Sequence, residues 1–156
     1  DGTGALVGND GVNTLDGKNG ANSFDAGSGN DYIIIYDTDF AFVNGGQGND
    51  TLIWNSFDDL DLAQINNKVD SIEYLHLNDE YKNKLTISVE DVLSMTPEND
   101  HLLVIQGGST DTVDLELSDT EWSTLGAQQF RGETYNVYVH ATEDAQIWIQ
   151  QGITVI

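Results

Sequence analysis

Gly45-Gly46-Gln47-Gly48-Asn49-Asp50-Thr51-Leu52-Ile53 is the stretch on which the reading of this chain turns. Glycines at three of its first four positions let the backbone bend so tightly that its own carbonyl oxygens can face a cation. The aspartate at the sixth place adds formal charge. The apolar eighth residue, Leu52, then opens a short strand whose side chain points inward.

The pattern recurs. Ala26-Gly27-Ser28-Gly29-Asn30-Asp31-Tyr32-Ile33-Ile34 repeats it with alanine in place of the first glycine. Gly17 through Asp25 is a degraded copy with Asn22 at the aspartate place, and Gly8 through Asp16 is more degraded still. Leu6, Leu15, Phe24, Ile33 and Phe42 stand nine residues apart before the register slips by one to Leu52. A glycine-rich nonapeptide held at this period is the signature of a stacked parallel β structure that binds calcium.

In such a stack one coil contains two nonapeptides, so turns on one edge recur every eighteen residues or so. Asn13 to Asp31 is eighteen and Asp31 to Asp50 is nineteen, which sets these three side chains in one column. Calcium between two stacked turns takes a carboxylate from each and completes its six to eight oxygens with backbone carbonyls. The expected ligand-bearing positions are Asn9, Gly11 and Asn13 in the first turn, Ala26, Gly27, Ser28, Gly29 and Asp31 in the second, and Gly45, Gly46, Gln47, Gly48 and Asp50 in the third. The interval between Asp31 and Asp50 is the strongest, because Asn13 supplies oxygen without charge. On the opposite edge Asn22, the Asp37/Asp39 pair and Asp58/Asp59 fall near the same spacing with no full motif around them. Glycine, asparagine and aspartate mark loops in most proteins. Here that plain reading must also explain five anchors in step, two near-complete motifs and the coil-length offset together.

Composition agrees with calcium. Twenty-seven acidic against 5 basic residues give a formal charge of −22 on 156 residues, a self-repulsion that bound cations relieve. The same charge argues against nucleic acid and against anionic membrane surfaces. With 38% hydrophobic residues the chain is too apolar for a disordered tail. There is no cysteine, hence no disulfide and no thiolate metal site. No apolar run is long enough for a membrane span, and no basic-then-apolar leader opens the chain. Since its first residues already lie within the repeats, it is expected to belong to a longer polypeptide.

Beyond Leu62 glycine thins out and short alternating segments follow. Strands are expected at Ile72–Leu77, Leu85–Ser88, Leu102–Gln106, Thr112–Leu117, Tyr135–His140, Gln146–Gln150 and Ile153–Ile156. A helix is expected from Val89 to Met95, capped by Ser88 with Asp91 three residues on and ended by Pro97. A second helical turn is expected after Ser118, with Glu121 as its partner, stopping at Gly126. Gly107-Gly108-Ser109-Thr110-Asp111-Thr112-Val113 reads as the repeat with one residue missing. The expected fold is all-β: a parallel β-roll over residues 1–62, and over 63–156 a β-rich cap containing one short helix, with Trp122, Trp148, Tyr135 and Tyr138 as core and capping residues.

Ala26–Ile34 and Gly45–Ile53 resemble the repeats of the repeats-in-toxin (RTX) family. The remainder is similar to the carboxy-terminal target region of large type I-secreted adhesins, on Ser71–Leu77, Leu85–Leu93, Asp111–Leu115, Trp122 and Gly132–Tyr138. That resemblance implies an extracellular or cell-surface calcium-binding β-solenoid of a Gram-negative bacterium. It also implies an uncleaved signal, with Ile153-Thr154-Val155-Ile156 similar to the apolar ends of such signals, read by a type I exporter. As a fragment the chain is expected to be monomeric. The alternative is a glycan-binding RTX module of a carbohydrate-active enzyme, with Trp122, Trp148 or Tyr138 stacking on sugar. A polyuronate ligand is disfavoured because Lys18, Lys68, Lys82, Lys84 and Arg131 are scattered. Catalysis is not expected, since His76, His101 and His140 lie in no nucleophile motif.

Overall fold

Short runs of β-branched and aromatic residues, parted by glycine- and asparagine-rich turns, suit pleated half-buried strands. The computed structural model describes residues 4–18, 20–96, 101–116 and 121–156. Along them run β1 (Gly4–Asn9), β2 (Thr14–Asp16), β3 (Ala21–Gly27), β4 (Tyr32–Ile35), β5 (Phe42–Asn44), β6 (Thr51–Trp54), β7 (Leu60–Asp61) and β8 (Val69–Asp70). There follow β9 (Tyr74–Leu77), β10 (Lys84–Thr86), α1 (Val89–Met95), β11 (Leu102–Gln106), β12 (Thr112–Asp114), β13 (Trp122–Phe130), β14 (Glu133–His140), β15 (Gln146–Gln150) and β16 (Thr154–Val155). A 3-10 turn occupies Leu62–Gln64. Among the described residues no helix is long and apolar enough to cross a membrane.

One long sheet organises the molecule, in the order β13-β14-β15-β11-β9-β6-β4-β2. From β2 to β15 its neighbours are parallel, with Leu15, Ile33, Leu52, Leu75, Ile105 and Ile149 in one row. All six are buried. A one-residue slip of any of these strands would turn its share of the row to solvent, at roughly 1.5–3 kcal/mol per side chain, and this fixes the register. Two smaller parallel sheets close the other side of the core. The first is β1-β3-β5-β8 and the second is β16-β12-β10-β7. The chain alternates between the long sheet and the first cover up to β9, and the second cover begins at β7. The long sheet therefore passes residue 62 without a break.

Several expectations hold. β11, β15 and α1 have the expected bounds, and Ser88 and Asp91 form the expected capping box. Pro97 and Ser118 lie outside the described residues. Others are corrected. The segment expected to continue as a helical turn to Gly126 is the antiparallel strand β13, paired with β14 through the positive-φ turn Arg131-Gly132. Such a two-residue turn twists with its strands, and a β-rich partner overrides weak helical signals. The sheets are consequently mixed rather than wholly parallel. Phe42 is not an anchor: Val43 pairs with Phe24 and is 1% exposed, whereas Phe42 is 44% exposed. The extra residue lies in the 36–41 connection, before Val43 and not after it. Asn22 sits within β3 rather than in a turn, and its side chain lies outside what the structure describes.

Tyr135 is fully buried, in a second small cluster with Tyr74 and Val104 against which Trp148 and Phe130 pack. Trp122 and Tyr138 pack, half-buried, against the main core.

Candidate metal centre

Three turns on one edge of the long sheet stack rung upon rung: residues 8–13, 26–31 and 45–50. Ser28 N donates to Asn9 O at 3.2 Å, Gln47 N to Gly27 O at 2.9 Å, and Gly29 N to Gln47 O at 2.8 Å. Glycine is required for this approach. A Cβ on Gly46 (φ +93°) would lie 1.9 Å from Gly27 O, and one on Gly48 (φ +134°) 1.7 Å from Gly29 O. Carbonyls of one rung are thus held against the α-carbons of the next, which is the packing that a ring of carbonyl ligands needs.

Along this edge each acid reaches back to the rung before it. Asn13 N donates to Asp31 Oδ1 at 2.7 Å, Asp31 N to Asp50 Oδ1 at 2.8 Å, and Asp50 N to Glu73 Oε2 at 2.7 Å. Asp31 and Asp50 are fully buried, and Oδ2 of each has no hydrogen-bond partner. A buried acceptor left unpaired costs about 1–3 kcal/mol, and more when it is charged. Burial pushes the Asp50 carboxyl up to about 6; the Asp31 amide works against that rise and the Asp31 carboxylate adds to it. A divalent cation is the kind of partner these two oxygens suit. Among the described residues no three histidine, cysteine or acidic side chains converge on a metal position. Backbone carbonyls must therefore complete any coordination shell, and an all-oxygen shell of that kind suits calcium rather than zinc.

The expected residues are brought together, with differences among turns. In the first, Asn9 N donates to Asn13 Oδ1 at 2.6 Å and Gly11 N to Asn9 Oδ1 at 2.9 Å, so the asparagines are spent partly on closing their own loop. Two residues on this edge escape the sequence reading, Glu73 and Ser71. The signal was present: Asn13, Asp31, Asp50 and Glu73 each stand two residues before a buried anchor of the long sheet.

The opposite edge differs. Asp39 N donates to Asp37 Oδ1, Asp58 N to Ser56 Oγ, and Lys84 N to Asp59 Oδ1. Asp37 and Asp58 are spent within their own turns, Asp58 Oδ2 accepting from Ser56 Oγ, while Asp59 takes the Lys84 amide of the neighbouring strand β10. The shortened repeat at Gly107–Val113 does form a ladder there. Asp111 Oδ1 accepts from Asn83 N at 2.9 Å and Oδ2 from Gly108 N at 2.8 Å, so both oxygens of this buried carboxylate have protein donors. The histidines are likewise engaged: His76 lies 3.7 Å from Asp79, His101 meets the Asp144 carbonyl at 3.0 Å, and His140 lies 3.5 Å from Glu121.

Residues 7–34 and 42–60 match the family model of the RTX calcium-binding nonapeptide repeat, in four copies. No curated protein and no solved structure matches the chain. The amino-terminal part of the molecule carries RTX calcium-binding repeats, which imply calcium-dependent folding, and the cofactor is Ca²⁺.

Proposed function

We propose that this chain is a calcium-triggered folding module with a type I secretion target region, from an extracellular adhesin of a Gram-negative bacterium. The observation that carries the reading is the pair of buried carboxylate oxygens, Asp31 Oδ2 and Asp50 Oδ2, that lack any protein donor. Asp31, Asp50 and the carbonyls of the 26–31 and 45–50 turns would hold calcium in a parallel β-roll. Bound calcium would supply the positive charge that offsets these buried acids.

Extracellular calcium modules have dissociation constants of roughly 10⁻⁴–10⁻³ M, so at scarce calcium the sites stay empty and the acidic turns repel. At ~10–100 times the dissociation constant each ion adds ~1.4–2.7 kcal/mol, and a few ions rival the ~5–15 kcal/mol stability of a domain. Folding then waits for export. The final residues favour this order of events. Ile156 N donates to Val113 O, Leu115 N donates to Ile156 O, and β16 pairs with β12. An exporter can read that segment only while the fold is open, and folding outside then hinders back-sliding.

Circular dichroism in chelator and in millimolar calcium tests the trigger: a largely unfolded spectrum is expected first and a β spectrum second. A folded spectrum in chelator would count against it. Export of a fused passenger with and without residues 153–156 tests the signal, with loss of export expected on deletion.

A further inference from the structure

We infer that the calcium column runs one rung past the repeats, with an additional ion between the 45–50 turn and the short Ser71-Ile72-Glu73 turn, held by Asp50, the Ser71 carbonyl and Glu73. The matched repeats end at residue 60, so nothing in them assigns this interval. The inference rests on the calcium reading of the turns given above.

Four observations carry it. The register continues, for Asn44 pairs with Asp70 and Leu52 with Leu75, which puts Ser71 beside Gly45 and Glu73 beside Asp50. Glu73 also makes the bond that each column acid makes, accepting the amide of the preceding one. Ser71 adopts φ +55°, a left-handed conformation rare outside glycine, and its carbonyl oxygen lies against Gly45 of the preceding turn.

The fourth observation is geometric. A Cβ on Gly45 would lie 2.0 Å from Ser71 O and 2.7 Å from Asp50 Oδ2. Those two oxygens therefore lie within about 4.7 Å of one another, inside the reach of two ligands that share one calcium at roughly 2.3–2.6 Å each. Asp50 Oδ2 is one of the two orphaned carboxylate oxygens, while Oδ1 of the same group is tied back to Asp31 N. The free oxygen thus lies on the side of the Ser71 rung. Asp50 and Glu73, at 0% and 5% exposure, stack two carboxylates in the interior. At the following rung the place two residues before the anchor Ile105 is taken by buried Leu103, which offers no side-chain oxygen, so the column ends there.

The test counts ions. Calcium per chain is measured by elemental analysis after gel filtration in millimolar calcium, and by isothermal titration, for the wild type, Glu73→Gln and Asp31→Asn. Glu73→Gln keeps an oxygen for the Asp50 amide and removes only the charge. It is expected to bind one calcium fewer, or to weaken one site at least about tenfold, while its circular dichroism in excess calcium stays that of the wild type. Glu73→Asp, which restores the carboxylate, is expected to regain that ion in part. An unchanged count in Glu73→Gln alongside a reduced count in Asp31→Asn would overturn the extra site and leave the repeat sites standing. A wild type that binds no calcium would overturn both. If Glu73→Gln does not fold, anomalous diffraction from wild-type crystals grown in calcium decides: a peak bonded to Asp50 Oδ2 and Ser71 O supports the site, and its absence beside peaks in the repeats defeats it.

Discussion

Gly48 and Gly126 both hold positive φ, at +134° and +94°, yet alanine at the two positions should act very differently. At Gly126 a Cβ meets nothing within 4 Å, so the cost is backbone strain alone, about 1 kcal/mol. At Gly48 it would meet Gly29 O at 1.7 Å, so the two rungs must part. Gly48→Ala is expected to lose at least about 3 kcal/mol and to weaken calcium binding, as read from urea unfolding in calcium and from titration. Asp50 gives a pH prediction. Without calcium its folded-state carboxyl titrates near 6 instead of near 3.8. Between those values the fold holds a proton that the unfolded chain has released. The resulting destabilisation is complete above pH 6 and disappears below about 3.8. Calcium requires the charged form, so its apparent affinity should fall as pH drops through about 6. Titrations at pH 7.5 and 5.5 check this, and equal affinity at both would contradict the role given to Asp50.

The two edge ladders look alike but should respond differently to calcium. Asp111 has an amide on each oxygen, whereas Asp31 and Asp50 each keep one oxygen unpaired. Asp111→Ala is therefore expected to lower stability by about 1–3 kcal/mol in denaturant melts while leaving the number of bound calcium ions unchanged. The repeats and α1 were legible in the sequence because their signals are local: glycines at fixed offsets, and a serine three residues ahead of Asp91 at the start of an apolar run. β13 was not legible. Its Ser123–Gln129 stretch is exposed throughout, so no alternation marks it, and pairing with β14 makes it a strand. Glu73 was missed for a similar reason, since its turn has shed the glycines and only the partner rungs reveal its place in the column.

For the whole molecule, calcium should act as a switch of size. A 156-residue chain has a radius of gyration near 40 Å when unfolded and below about 20 Å when compact. Small-angle scattering across a calcium titration is expected to pass from the first to the second in step with the circular dichroism, and a compact chain in chelator would show that the apolar core suffices alone. The row from Leu15 to Ile149 holds its register although successive members lie 18, 19, 23, 30 and 44 residues apart in the chain. That variation is absorbed outside the parallel row, in the 36–41 connection, the 62–68 segment, α1 and the β13–β14 hairpin that extends the long sheet at its edge. Coil length and sheet register are thus uncoupled, so this architecture has room for grafted sequence. An epitope tag spliced into the exposed bend at Asn67 should be carried on the flank, while the same tag between Gly46 and Gly48 would pry the stack open.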